Sequence, residues 1–159
     1  IKYFLKAAEQ NYAPAQFTLG VMYESGICGV NQDFKKAYGF YKKASMLGHA
    51  DSQFHLAIAY SEGTGVVEND QQEYKWTNEA AQQGLARAQF RLSALYAIGK
   101  GTPQDFVLSY MWANLAAAQG FNKADELRNL LVNSMTKEQI AEAHKMSREW
   151  LAKQSKKDE

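Results

Sequence analysis

Apolar residues recur along this chain with a helical period, and the helical stretches themselves recur. From Ala13 to Ser25 the apolar positions Ala15, Leu19, Met22 and Tyr23 fall on one face of a helix. Gly26 to Val30 then interrupts the pattern, since Gly tolerates positive φ and costs about 1 kcal/mol inside a helix. From Phe34 to Leu47 an apolar face returns at Ala37, Phe40, Tyr41 and Ala44. Asp33 precedes it, where a side-chain oxygen accepts a free backbone N–H. Gly48 follows it, where a left-handed residue ends a helix. The pattern predicts two helices, A and B, joined by a Gly-rich turn.

The pair repeats. Ala15-Gln16-Phe17-Thr18-Leu19-Gly20 returns as Ser52-Gln53-Phe54-His55-Leu56-Ala57 and as Ala88-Gln89-Phe90-Arg91-Leu92-Ser93, at spacings of 37 and 36 residues. Tyr23, Tyr60 and Tyr96 share a column, as do Gly26, Gly63 and Gly99. Beyond the turn a constant spacing of 36 links Gly29, Gly65 and Gly101; Asp33, Asn69 and Asp105; Tyr38, Tyr74 and Tyr110; Phe40, Trp76 and Trp112; Ala44, Ala80 and Ala116; and Gly48, Gly84 and Gly120. The extra residue of the first copy lies between Gly26 and Gly29, in a turn where insertion costs least. Gly20, Ala57 and Ser93 are all small, which lets a neighbouring helix backbone come close. His49, Leu85 and Phe121 follow the last Gly, where a hydrophobic contact seals a helix end.

Residues 3–11 match the end of helix B, with Ala7 at the Ala44 position and Asn11 at the Gly48 position. The sequence thus opens inside a repeat, and with Ile1 rather than Met a longer natural chain is expected upstream. After Gly120 the pattern decays. Ala124 keeps the small first position, but the Tyr column falls on Val132 and the Gly column on Met135. A helix capped by Asn122 and running to about Asn133 is expected, with Leu127, Leu130 and Leu131 facing inward. Thr136-Lys137-Glu138-Gln139 is a capping box. It opens a last helix with Ile140, Ala143, Ser147, Trp150 and Leu151 on one stripe. A terminal repeat must differ, because one face has no neighbour. The expected organisation is residues 1–12 as the second helix of a truncated repeat, 13–49, 50–85 and 86–121 as repeats, 122–152 as capping helices and 153–159 as a frayed polar tail.

The order Ala-Gln-Phe-x-Leu-small-x-x-Tyr, then Gly-x-Gly, Asp, an aromatic, Ala-Ala and Gly resembles the Sel-one-like repeat (SLR) family, a branch of the tetratricopeptide-like α-solenoids. The resemblance covers residues 1 to 124. A tetratricopeptide repeat has a period of about 34 and a tighter turn. The resemblance implies an all-α, right-handed α-solenoid of antiparallel helix pairs that serves as an adaptor or scaffold between proteins. A secreted branch of the family ties each repeat with a disulfide; this chain, with only Cys28, departs from it. Met135-Thr136-x-Glu138-Gln139-Ile140-Ala141 through Trp150 is similar to the C-terminal ends of bacterial members. That similarity favours the bacterial periplasm or secretion over the cytoplasm, and a solitary cysteine suits either compartment.

Composition removes several function classes. Lys plus Arg is 18 and Asp plus Glu is 17 in 159 residues, a net charge of +1. No overall field therefore draws nucleic acid or anionic lipid. Most aromatics recur at core columns with no basic stripe beside them, so stacking on nucleobases is not expected. No apolar run approaches the roughly 18 residues of a membrane span, and direct membrane insertion is not expected. Cys28 alone excludes an internal disulfide and a multi-cysteine metal site. His49, Asp51 and His55 are close in sequence, but Gly48 breaks the helix beside them and His144 stands alone. A metal site needs three or four converging ligands, so neither metal nor cofactor is expected. Gly63-Thr64-Gly65 recurs with the repeat and is architecture, not a phosphate loop.

One motif offers catalysis. Ser134-Met135-Thr136-Lys137 matches S-x-x-K, the nucleophile motif of penicillin-recognising enzymes. A serine hydrolase or penicillin-binding activity using Ser134 and Lys137 is the alternative to a binding function. Against it, the helix opens at Thr136 and leaves Ser134 outside, no Ser-Asp-Asn occurs, and Lys100-Gly101-Thr102 is not Lys-Thr-Gly. No catalytic residue is assigned.

What repetition leaves unexplained is a surface. In solenoids of the type resembled, helices A line the concave side. Three helix A columns change between copies: Thr18, His55 and Arg91; Val21, Ile58 and Ala94; and Ser25, Glu62 and Ile98. Spacings of three and four put Thr18, Val21 and Ser25, and likewise their counterparts, on one helix face. These residues are the candidate site for a protein or peptide partner lying in a groove. The competing reading is that some of them fill gaps between helices. Lys75, in the column Gly39, Lys75 and Met111, belongs to the opposite, convex side. The chain is thus expected to be a non-enzymatic protein-interaction module, with its oligomeric state open.

Overall fold

Each periodic stretch forms a helix in the structure, a computed structural model that describes residues 1–156. The helices are α1 (Lys2–Glu9), α2 (Ala13–Ser25), α3 (Phe34–Met46), α4 (Ala50–Glu62), α5 (Asp70–Gln82), α6 (Ala86–Ile98), α7 (Phe106–Ala118), α8 (Asn122–Val132) and α9 (Lys137–Ser155). They fall into two units, Ile1–Gln83 and the segment that begins at Gly84. In the first, α2 pairs with α3 and α4 with α5, α1 packs on α2, and α3 packs on α4. In the second, α6 pairs with α7, and α8 and α9 both pack on α7. This is the all-α fold of antiparallel helix pairs expected of a repeat solenoid, with the C-terminal helices as a cap.

Polar side chains set the helix starts. Asp33, Asn69 and Asp105 accept backbone N–H groups from Lys36 at 3.0 Å, Gln72 at 2.9 Å and Leu108 at 2.9 Å. Thr136 and Gln139 form the reciprocal capping box before α9. His49 caps α4 with its ring, Nδ1 accepting from the Ser52 N–H at 3.2 Å. Gly48 and Asn11 take left-handed conformations, φ 83° and 59°, at the ends of their helices.

Burial follows the repeat columns. Ala15, Leu19 and Met22 of α2, Leu56, Ala57 and Ala59 of α4, and Ala88, Leu92 and Leu95 of α6 are buried. The Tyr column is only half-buried. Tyr60 lies at the edge of the core with its hydroxyl 3.1 Å from that of Tyr38. Burial, then Tyr38, pushes the Tyr60 hydroxyl up to about 12. Gly20 shows why its column is small: a Cβ there would run into the fully buried ring of Tyr41. The Tyr41 column holds the smaller Thr77 and Ala113 where the Gly20 column holds Ala57 and Ser93.

A buried glutamine in each helix A ties the pairs together. Gln16 Nε2 donates to the Ala8 carbonyl at 3.1 Å, and Gln53 Nε2 to the Ser45 carbonyl at 3.3 Å. Gln53 Oε1 accepts from Gln83 Nε2 at 2.7 Å, and Gln89 Oε1 from Gln119 Nε2 at 2.8 Å. A buried amide left without partners costs about 1–3 kcal/mol, so a repeated glutamine needs repeated partners.

The C-terminal region departs from expectation in four respects. Asn122 is the first helical residue of α8; Phe121 holds the cap position, with no side-chain hydrogen bond. Phe121 packs on Phe90 instead, with ring centroids 5.1 Å apart, so ring burial rather than a polar cap fixes the start of α8. Leu131 is buried but Leu130, expected inside, is 67% exposed, because the stripe that meets α7 runs through Ala124 and Leu131. The tail expected to fray from Lys153 is helical to Ser155, and residues 157–159 lie outside the described residues. Finally, Leu151, expected on the inner stripe of α9, is 50% exposed; the stripe that meets α7 runs through Ala143, Ser147 and Trp150, with Trp150 edge to face on Trp112 at 5.8 Å and Ser147 Oγ 3.3 Å from the Met111 carbonyl.

Candidate functional site

The nine helix A residues divide by burial into two kinds. Ser25, Glu62 and Ile98, each the last residue of its helix, are exposed, Ile98 by 68%. Thr18, Val21, His55, Ile58, Arg91 and Ala94 are half-buried. Thr18 Oγ1 donates to the Pro14 carbonyl at 2.8 Å, and Val21 packs against the cluster of Ala37, Tyr41 and Leu56. Gap filling thus accounts for part of Val21.

His55 belongs to a polar and aromatic group inside the first unit. Its Nδ1 lies 3.5 Å from Glu24 Oε2, which also accepts the Tyr41 hydroxyl at 2.7 Å. The His55 ring stands 4.9 Å from that of Tyr41 and 5.4 Å from that of Phe17, and the His49 ring stands 5.0 Å from that of Phe17. The His55 ring nitrogen beside it, aided by the hydrogen bond from Tyr41, holds the Glu24 carboxyl below its ordinary value of 4.5 against partial burial. Burial, then Glu24, pushes the Tyr41 phenol well above its ordinary range. The group therefore holds Glu24 ionised and Tyr41 protonated, which fixes α2, α3 and α4 against one another.

Glu24 and Tyr41 were not among the sequence candidates. One signal points to Tyr41: the single Gly of the small column, Gly20, faces the largest residue of the partner column. The buried glutamines had a plainer signal, recurrence in all three copies, but recurrence alone does not say whether a polar residue is inside or out.

Catalytic geometry is not assembled at Ser134. It is exposed in the turn before α9, its N–H donates to the Leu131 carbonyl at 2.9 Å, and Lys137 is the first residue of the helix. S-x-x-K chemistry needs both residues on one helical turn with the lysine reaching the hydroxyl, and among the described residues no hydrogen bond joins them. No group of three or more His, Cys, Asp or Glu side chains among the described residues converges to hold a metal ion. Cys28 is exposed in the first turn with φ 57°.

Comparison with known proteins agrees with this architecture. The model of the Sel1 repeat matches residues 1–12, 13–49, 50–85 and 86–121. Cytochrome c oxidase assembly factor 7A of Xenopus laevis is 36% identical over 70 residues, 44% of this chain and 30% of that protein. A chitin synthase regulator of Malassezia restricta is 34% identical over 73 residues, 45% of this chain and 5% of that protein. Among solved structures, a Sel1 repeat protein from Oxalobacter formigenes superposes with a TM-score of 0.77 at 31% identity, covering 81% of this chain and 53% of that one. A protective antigen of uropathogenic Escherichia coli with an SLR fold superposes with a TM-score of 0.72 at 26% identity, covering 95% of this chain and 40% of that one. The chain spans under a third of these curated relatives and about half or less of these solved chains. With three full repeats and the half repeat before them matched, and each repeat folded as an A–B helix pair, the chain belongs to the Sel1 repeat family.

Proposed function

We propose that the chain is a non-catalytic docking module that holds a protein or peptide partner on the outward face of its helices A. Repeats of this family act in general as non-enzymatic interaction scaffolds. In the first unit the docking face comprises the exposed Ser25 and Glu62 with the half-buried Thr18, Val21, His55 and Ile58; in the second it comprises the exposed Ile98 with the half-buried Arg91 and Ala94. The observation that carries the proposal is the exposed third column. Ser25, Glu62 and Ile98 differ from copy to copy and none of them is consumed by packing, whereas every invariant column serves packing, capping or turning. Two relatives carry names that describe action on other proteins, an assembly factor and an enzyme regulator, and such names support an adaptor reading here.

The test is site-specific photocrosslinking in the cell of origin, with a photoreactive residue at Glu62 or Ile98 and a control at Glu142, exposed on α9. Crosslinks to a common partner from Glu62 and Ile98 and none from Glu142 are expected. The same bands from Glu142, or none from either helix A position, remove the assignment.

A further inference from the structure

Within the first unit, α3 and α5 both flank α4 and leave an open groove of about 620 Å³ between them. Its floor and walls include Leu56 and Trp76, and its rim carries Met46, 72% exposed, and Val67, 84% exposed. Lys42 and Lys75 flank it, lying over the rings of Tyr38 at 5.8 Å and Trp76 at 5.1 Å. Among the described residues neither lysine has a carboxylate within ion-pair distance. Glu68 is the one acidic residue lining the groove, against the two ammonium groups. Large apolar side chains this exposed, beside unneutralised cations, form a surface suited to an acidic, apolar ligand.

The same molecule shows what lies on such a surface. One repeat later, the counterparts of Lys75 and Trp76 are Met111 and Trp112 of α7. Both are buried, 5% and 3% exposed, because α9 crosses them with Ala143, Ser147 and Trp150 on its inner stripe. A helix is therefore the shape that the outer face of helix B accepts. In α7 the covered residue is apolar; in α5 it is a lysine, so a helix there must offer a carboxylate where α9 offers none.

We propose that the groove between α3 and α5 is a second docking site, distinct from the helix A face, for an amphipathic helix of a partner protein that carries small and aromatic residues on one stripe and Asp or Glu along its edges. The apolar stripe covers Met46, Val67 and Trp76, and the edge carboxylates meet Lys42 and Lys75. Lys75 is then no inert convex position.

The probe is a synthetic peptide with the sequence of residues 137–155 and the changes His144→Glu, Lys145→Glu and Arg148→Glu. The unchanged peptide is the control. Each is titrated into the full chain and followed by amide chemical shifts. The acidified peptide is expected to shift amides of residues 42–46, 66–69 and 72–76, and to bind more tightly than the control. Lys42→Glu and Lys75→Glu should each weaken it by about fivefold, the scale of one exposed ion pair, and Val67→Ser should weaken it without changing its salt dependence. Equal binding of the two peptides, indifference to both lysine reversals, or no binding overturns the proposal. So do shifts confined to residues 110–114, which mean exchange with α9, or to Ser25, Ile58 and Glu62, which mean that the helix A face is the acceptor.

Discussion

Two regions of the molecule solve the same packing problem with different chemistry. In the first unit, where repeat 1 meets repeat 2, the space between helices holds Glu24, Tyr41 and His55, with the Tyr41 hydroxyl hydrogen-bonded to Glu24 at 2.7 Å and His55 Nδ1 3.5 Å from the same carboxylate. In the second unit, where repeat 3 meets the cap, the same columns hold Ala97, Ala113 and Leu127. The outer face of helix B differs in parallel. In α3 it carries Lys35, Lys36, Lys42 and Lys43, all exposed; α7 has no charged residue, and Ser109 to Ala116 is buried without a break. The backbone scheme is common to both, and what differs is the cover. A helix left open on its outer side is charged there, and a helix crossed by another carries no charge on any side. Column identity thus specifies the helix pair, while departures from the column report what lies on top of it.

The sharpest way to break this comparison is to exchange the covered and uncovered residues. Met111→Lys should cost about 3 kcal/mol, because an ammonium under α9 has no partner and must be buried or must lift the helix. Lys75→Met should stay within about 0.5 kcal/mol, the range of surface changes. Urea unfolding of both variants decides it. Similar costs at the two positions would mean that α9 does not seal α7.

Gly20→Ala tests the neighbouring contrast between large and small pairs. The added methyl meets the Tyr41 ring, and overpacking of this kind costs about 2 kcal/mol. Gly20→Ala with Tyr41→Thr, the pairing of repeat 2, should cost less than the two single changes added together. Strict additivity would show that the two positions are energetically independent, contrary to a shared space.

Much of this was legible beforehand because it is local. Caps at Asp33, Asn69 and Asp105, the capping box at Thr136 and the left-handed Asn11 depend on residues a few positions apart, and the sequence states them directly. The position of α9 is not local. Its Ala143, Ser147 and Trp150 stripe announces that something is covered, and only the uncharged α7 hints at what. Asn122 has the residue type of a cap, yet a ring contact between Phe121 and Phe90 decides that helix start. Of the candidate surface, the column Ser25, Glu62 and Ile98 is exposed, while His55 lies against Glu24 of another helix, a contact that spacing along the sequence does not show.

The polar trio should also give the first unit an acid sensitivity that its apolar counterpart lacks. Glu24 has a folded pKa below its ordinary 4.5, chiefly through His55. Ionised Glu24 therefore adds stability above that ordinary value, and the contribution is lost as pH falls through the lower folded value. The side chain is 34% exposed, so screening keeps the contribution under about 1 kcal/mol. Denaturant midpoints of wild type and Glu24→Gln, followed from pH 6 down to strong acid, should differ at the upper end and converge at the lower. Parallel profiles would remove Glu24 from the acid response.

The smallest effect concerns a gap in the glutamine ladder. Gln53 and Gln89 each have a second glutamine, Gln83 and Gln119, donating to their side-chain oxygens. Gln16 is equally buried, but its Oε1 has no hydrogen-bond partner, and the residue in the Gln83 column is Leu47. Leu47 is 50% exposed, so replacing it sacrifices little burial. Leu47→Gln should stabilise the chain by about 0.5 kcal/mol, the lower end for a net hydrogen bond once the ordering of a flexible side chain is subtracted. The reverse change, Gln83→Leu, should cost about 1 kcal/mol by leaving Gln53 Oε1 as Gln16 Oε1 is now. The gain from Leu47→Gln must vanish when Gln16→Leu is also present, because the acceptor is then gone. A gain that survives in that background would come from helix-end propensity at position 47, and the ladder would not be its cause.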